Sequence, residues 1–177
     1  MEKINILISN ESIQKKIIEI AKAIINDHEH LDQIHFVVVL EGAKIFAKAL
    51  TDEINKSKKL KINTCFIKLE SYGDKTESAG KINVLKDLEN DISGKSILVV
   101  EDIVDTGLTL HFLEKYLVNK KGAHSVKNCV LLNKPVTRKF NVPISYCGFP
   151  ISDRFVIGYG LDYKGLYRDL DYIGHLS

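Results

Sequence analysis

Residues 96–110 read SILVVEDIVDTGLTL, and this stretch decides the fold. SILVV is an unbroken β-branched and aliphatic run, the pattern of a strand covered on both faces. It ends at Glu101-Asp102, and Asp105-Thr-Gly-Leu-Thr109 then opens an apolar stripe of helical period. A buried strand that turns straight into a helix is half of a parallel βαβ unit. In such sheets ligands sit beyond the carboxyl ends of the strands, where turn and helix N–H groups converge on an anion. Gly107 permits close backbone approach, and Thr106 and Thr109 add hydroxyl donors. On composition alone an ordinary strand–turn–helix junction accounts for these residues equally well.

The rest of the chain repeats the alternation. Ser9 or Asn10 is placed to cap a helix over 11–27, with Ile13, Ile17, Ile20 and Ile24 as its stripe and Ile18, Ala21 and Ile25 beside it. HFVVVL (35–40) predicts a buried strand, and 43–56 a helix with Ile45, Phe46, Ala49, Leu50 and Ile54 inward. Strands are expected over 61–70, 82–88, 96–102, 125–134, 144–150 and 153–163. A helix is expected over 107–119 with Leu108, Phe112, Leu113, Tyr116 and Leu117 apolar. SYGDKTESAGK (71–81) is polar and lacks any apolar period, which marks a long loop. The pattern is α/β with a mostly parallel sheet. No repeat or linker interrupts it, so residues 1–177 are expected to form one domain.

Composition narrows the function. The chain is 45% hydrophobic and 27% charged, a balance suited to a globular domain of 177 residues. A net charge of +2 gives no footprint for nucleic acid. The longest apolar runs are far too short to span a membrane, and the first residues carry no signal core. Cys65, Cys129 and Cys147 fit no disulfide or metal spacing and are expected as small core residues, which points to a reduced, cytoplasmic setting. His28-Glu29-His30 lacks the spacing of a helical zinc site and is read as a solvated helix end. Tyr159, Tyr163 and Tyr167 are read as packing.

Glu101, Asp102 and Asp105 pose the chemical question, because acids beside an anion turn repel its ligand. They have three uses there: accepting bonds from sugar hydroxyls, binding Mg²⁺, or taking a proton. A phosphorylated sugar with free hydroxyls calls on all three.

VVEDIVDTGLTL (99–110) resembles the 5-phosphoribosyl-1-pyrophosphate (PRPP) motif of the type I phosphoribosyltransferases, and the acid at Asp105 resembles their hypoxanthine-guanine branch. LEGAK (40–44) is similar to the family's pyrophosphate loop, and 71–81, opening with Ser71-Tyr72, to its flexible catalytic loop. LLNK (131–134) and DRFVIGYGLDYKGLYRDL (153–170) are similar to its base-binding and C-terminal segments. The resemblance covers about residues 35–172. It implies a mostly parallel twisted sheet flanked by helices, with a small hood from the chain ends.

It also implies roles. Glu101 and Asp102 hold the ribose hydroxyls of PRPP and, with Asp162, Mg²⁺. Asp105, Thr106, Gly107, Leu108 and Thr109 bind the 5′-phosphate. Asp105 is the general base near the purine N7. Lys134 donates to O6 of a 6-oxopurine, Phe155 stacks on the base, and Val156 reads its edge through the backbone. Leu40, Glu41, Gly42 and Arg168 bind pyrophosphate, the loop doing so around a non-proline cis peptide. The implied reaction is Mg²⁺-dependent purine salvage by a homodimer or homotetramer, with PRPP and the base as its small-molecule partners. One departure stands out: Glu41 occupies a position where many relatives carry lysine, with Lys44 as the nearest candidate to restore the charge. The Asp-Thr-Gly core of aspartic proteases is excluded by Leu108 and by the helical stripes. A non-catalytic RNA-binding regulator on the same fold lacks a basic face.

Overall fold

The computed structural model describes residues 3–72 and 80–176. Eight strands and three helices follow in the order β1 (Ile4–Ile8), α1 (Asn10–Asp27), β2 (Gln33–Leu40), α2 (Lys44–Lys56), β3 (Lys61–Tyr72), β4 (Lys81–Lys86), β5 (Ser96–Val104), α3 (Leu108–Lys115), β6 (Ser125–Asn133), β7 (Tyr146–Pro150) and β8 (Ile173–Leu176). Six strands form one sheet in the order β4-β3-β2-β5-β6-β7. All neighbours are parallel except the β3–β4 edge pair.

The apolar strands are continuous because both sheet faces are covered. Alternate residues of β2 feed opposite cores. Phe36 and Val38 pack with α1 and α2, and Val37 and Val39 with α3. β5 does the same with Leu98 and Val100 on one side and Ile97 and Val99 on the other. The α1 stripe Ile13, Ile17, Ile20, Ala21 and Ile24 is buried as its spacing predicts, whereas Ile18 is exposed. Ser9 is the N-cap, its Oγ accepting the Ser12 N–H at 3.3 Å.

Several expectations need correction. α2 buries Ala47 rather than Ile45, which is 37% exposed. The helix phase is set by packing against α1 and the sheet, in the core cluster that includes Ala47. In α3, Leu110 is fully buried while Leu108 and Tyr116 are only partly so. Its last turn widens to a π-helical turn over Tyr116–Lys120. Cys65 and Cys129 are core residues, but Cys147 is exposed on the edge strand β7. His28 is buried, its Nδ1 2.9 Å from the Ile24 carbonyl, and so is not solvated.

The segment 153–163 is not a strand. Gly158, Tyr159 and Gly160 all have positive φ, at 94°, 49° and 100°. That conformation folds the chain back on itself and leaves isolated bridges, Gly158–Leu161, Ile157–Gly174 and Tyr163–Leu166, in place of a ladder. The chain ends pair antiparallel, β1 with β8, as the small hood that the resemblance implied, although neither strand was assigned from the sequence. This small hood is tied to α1 through Asn10 Nδ2 to Asp171 (2.9 Å) and Gln14 Nε2 to the Tyr159 hydroxyl (3.2 Å).

Candidate active site

The carboxyl ends of β2, β5 and β6 and the turns of 153–168 enclose a cavity of about 360 Å³. β2 delivers Leu40, Glu41 and Gly42 to its wall; β5 delivers Glu101 and Asp102, with Asp105 just beyond. Lys134 follows β6, and Phe155, Val156, Asp162 and Arg168 close the far side. Eleven of the residues singled out in the sequence thus meet at one place.

Glu101 is only 8% exposed, and its Oε2 has no hydrogen-bond partner. Burial, with Asp102 adding repulsion, holds its carboxyl well above the usual carboxylate range. Burial also pushes Asp102 up to about 6, against the opposing pull of the Ile103 N–H and of Arg168. The Asp102 Oδ1 accepts that N–H at 2.7 Å, while its Oδ2 lies over Gly42. A Cβ on Gly42 would fall 1.7 Å from Oδ2, so only glycine fits beneath this carboxylate.

Lys134 is 7% exposed, which rules out a merely solvated lysine. Its Nζ lies 3.4 Å from Asp153 Oδ1 and 3.6 Å from Asp105 Oδ2. The ammonium is therefore held by two flanking carboxylates and aimed into the cavity. Phe155 is 59% exposed at the mouth and meets Tyr163 edge-on, with ring centroids 5.6 Å apart. Val156 is buried and lines the cavity wall.

The Leu40–Glu41 peptide is cis. Glu41 pairs with Lys68 at 3.2 Å, because β2 and β3 run parallel with Leu40 beside Lys68. Lys68, not Lys44, offsets the unusual acid; Lys44 lines an apolar groove with Thr64 and Phe66 instead. Arg168 pairs with Asp162 at 2.7 Å, not with its chain neighbour Asp169, and donates to the Gly160 carbonyl at 2.8 Å.

Thr106, Gly107, Leu108 and Thr109 do not line this cavity. They form the adjoining turn at the start of α3, with Gly107 at φ 86° and the Leu108 N–H donated to Thr106 Oγ1 at 3.3 Å. Ser71 and Tyr72 are the last residues of β3. Most of the loop read over 71–81 lies outside the described residues. The sequence reading missed Lys68, Asp153 and Arg138. Lys68 becomes visible only through strand register, and Asp153 only through the fold of the 153–168 turns.

The cavity wall carries Glu41, Glu101, Asp102, Asp105 and Asp162 against Lys134 and Arg168. This excess of acid disfavours a polyanion unless a cation accompanies it. Among the described residues no three His, Cys, Asp or Glu side chains form a metal-binding group. The acids suit a hard ion held mainly by substrate oxygens and water. Among the described residues, no helix is long and apolar enough to cross a membrane.

Residues 5–164 match the phosphoribosyl transferase domain family. A hypoxanthine-guanine phosphoribosyltransferase of Mycobacterium tuberculosis is 41% identical over 98% of this chain and 86% of its own length. One from Bacillus subtilis is 39% identical over 97% of this chain and 92% of its own. The crystal structure of a Bacillus anthracis hypoxanthine-guanine phosphoribosyltransferase superposes with a TM-score of 0.91 at 41% identity, covering all of both chains. The chain belongs to the phosphoribosyl transferase domain family.

Proposed function

We propose that this protein transfers the 5-phosphoribosyl group of PRPP to hypoxanthine or guanine, giving IMP or GMP and pyrophosphate in purine salvage. The observation that carries the reading is Lys134, a buried ammonium 3.6 Å from Asp105 and facing the cavity that Glu101 and Asp102 line. That arrangement offers a donor for a 6-oxo group and a carboxylate for a ring N–H, a short distance from acids that accept sugar hydroxyls.

The geometry supports the following roles. The turn 105–109 takes the 5′-phosphate on backbone N–H groups and threonine hydroxyls. The orphaned Glu101 Oε2 and the Asp102 carboxylate accept the ribose hydroxyls. Backbone groups of Glu41 and Gly42, with Arg168, take the pyrophosphate, while Lys68 neutralises the Glu41 side chain. Phe155 supplies its exposed ring for stacking, and the Val156 backbone meets the base edge. As the anomeric C–O bond breaks, the purine N9 bonds to that carbon. The proton on N7 passes to Asp105, whose charge also stabilises the oxocarbenium-like sugar. Adenine's amino group cannot accept from Lys134, so the buried ammonium selects 6-oxopurines.

Mg²⁺ fits this set of acids: Glu101, Asp102 and Asp162 would hold it together with substrate oxygens and water, and it would neutralise the charge of the leaving group. Residues 1–177 act as one domain, in keeping with two cores that share β2, β5 and β6. Three free cysteines accord with a reducing cytoplasm, and a homodimer or homotetramer is the expected assembly. An absorbance assay with PRPP, Mg²⁺ and a panel of bases tests the reading. Turnover of hypoxanthine or guanine but not adenine or orotate supports it, and adenine turnover at a comparable rate overturns it.

A further inference from the structure

We infer that Arg138 is a positioning residue that aims the N–H groups of the phosphate turn by pinning its carbonyls from behind. The inference rests on the proposed binding of a 5′-phosphate at residues 105–109. Arg138 stands just after the short 3₁₀ turn Pro135–Thr137 that follows Lys134. Its Nε donates to the Asp105 carbonyl at 3.1 Å, and its Nη2 donates to Asn133 Oδ1. The next two residues continue the clamp: the Lys139 and Phe140 N–H groups both donate to the Thr106 carbonyl, at 2.9 and 3.0 Å.

Two consecutive carbonyls of the turn are therefore held on one side by residues 138–140. In a trans peptide the C=O of one residue and the N–H of the next point in opposite directions across one plane. Pinning the Asp105 and Thr106 carbonyls thus turns the Thr106 and Gly107 N–H groups the other way. Successive N–H groups so directed form an anion nest. The clamp also fills the space behind Gly107. A Cβ there would meet the Phe140 carbonyl at 2.8 Å and Arg138 Cδ at 2.9 Å. Glycine is required both by this wall and by its φ of 86°.

The guanidinium suits the task because its planar fork reaches two acceptors at once. Asn133 adjoins Lys134, so the same side chain ties the base-binding end of β6 to the phosphate turn. Arg138 does not line the cavity and acts through the turn.

The test is calorimetric binding of IMP, inosine and pyrophosphate, with Mg²⁺, to the wild type and to Arg138→Met and Arg138→Lys. Loss of a hydrogen bond from a charged donor predicts IMP binding about 10- to 100-fold weaker in Arg138→Met. Inosine, which lacks the 5′-phosphate, and pyrophosphate should stay within about twofold. Lysine keeps the charge but not the fork, so Arg138→Lys should remain at least about fivefold weaker for IMP alone. Equal loss for IMP and inosine, unchanged IMP binding, or full restoration by lysine would overturn the inference. If Arg138→Met does not fold, the ratio of IMP to inosine affinity in Arg138→Lys decides. A wild type that binds inosine as tightly as IMP would defeat the phosphate-site reading itself, separately from Arg138.

Discussion

Replacing Gly42 by alanine would set a methyl carbon 1.7 Å from Oδ2 and 2.7 Å from Cγ of Asp102. Neither partner has an easy retreat. The loop cannot back away, because the Gly42 carbonyl already abuts Gly160, where a Cβ would fall only 2.0 Å from it. The Asp102 carboxylate must therefore swing aside by more than about 1 Å to restore ordinary contact. That movement breaks its 2.7 Å bond from the Ile103 N–H. Overpacking costs about 1–3 kcal/mol, and a lost bond to a charged acceptor about 1.5–3 kcal/mol. Partial relaxation leaves a destabilisation of about 2–4 kcal/mol, or a Tm lower by roughly 5–10 °C for a chain of this size. PRPP affinity should fall by about a hundredfold, since both the pyrophosphate loop and a ribose-binding acid are displaced. Thermal melts and PRPP titrations on Gly42→Ala read both quantities. A double-mutant cycle adds a sharper check: Gly42→Ala combined with Asp102→Ala should be no less stable than Asp102→Ala alone, because the clash is gone. A Gly42→Ala protein with wild-type Tm and PRPP affinity would refute the placement of Asp102 over the loop.

Other predictions address single groups. Asp105→Asn keeps the shape but removes the base, so kcat should fall about 10²–10⁴-fold with PRPP affinity largely kept; an unchanged single-turnover rate would remove Asp105 from the chemistry. Lys134→Ala should narrow the ratio of kcat/KM for hypoxanthine over adenine, and a constant ratio would rule out the O6 contact. The folded pKa of Asp102, about 6, lies above its ordinary value of 3.8. Its contribution to the stability of the ligand-free protein is thus fully present below about pH 4 and lost as pH rises through about 6. Urea midpoints taken in chelator should show Asp102→Asn gaining on the wild type between about pH 4 and 6.5, and parallel profiles across that window would contradict the burial account. Tyr146→Phe removes the 2.7 Å hydroxyl bond to Asp27 that ties β7 to α1, and should cost about 1.5–3 kcal/mol in unfolding free energy.

What the sequence disclosed depended on the range of the interactions involved. SILVV and HFVVVL announce two-sided strands by composition alone, and DTGLT announces its turn because glycine and threonine are local necessities there. Lys134 and Asp105 are separated along the chain, yet both follow parallel strands, so strand topology alone brings them to the same sheet edge. The failures are of another kind. INILI at β1 and IGHL at β8 are short, and each becomes a strand only because the other is present. Ile45 and Ala47 exchange places because helix phase answers to the neighbouring helix and sheet. Glu41 looked unsupported until β2–β3 register put Lys68 next to it. Arg168 is followed directly by Asp169, but the turn at Gly165 brings it to Asp162 instead. The string Gly158-Tyr-Gly160 did carry a local signal against a strand, which the apolar residues around it outweighed in the reading.

The most direct test of the central claim is ³¹P NMR of PRPP with Mg²⁺ and the purified protein, run with hypoxanthine, with adenine and with no base. Transfer by this site predicts that PRPP converts to equal amounts of IMP and pyrophosphate with hypoxanthine, and persists in the other two samples. PRPP that stays intact with hypoxanthine, or is consumed equally with adenine, would contradict the account.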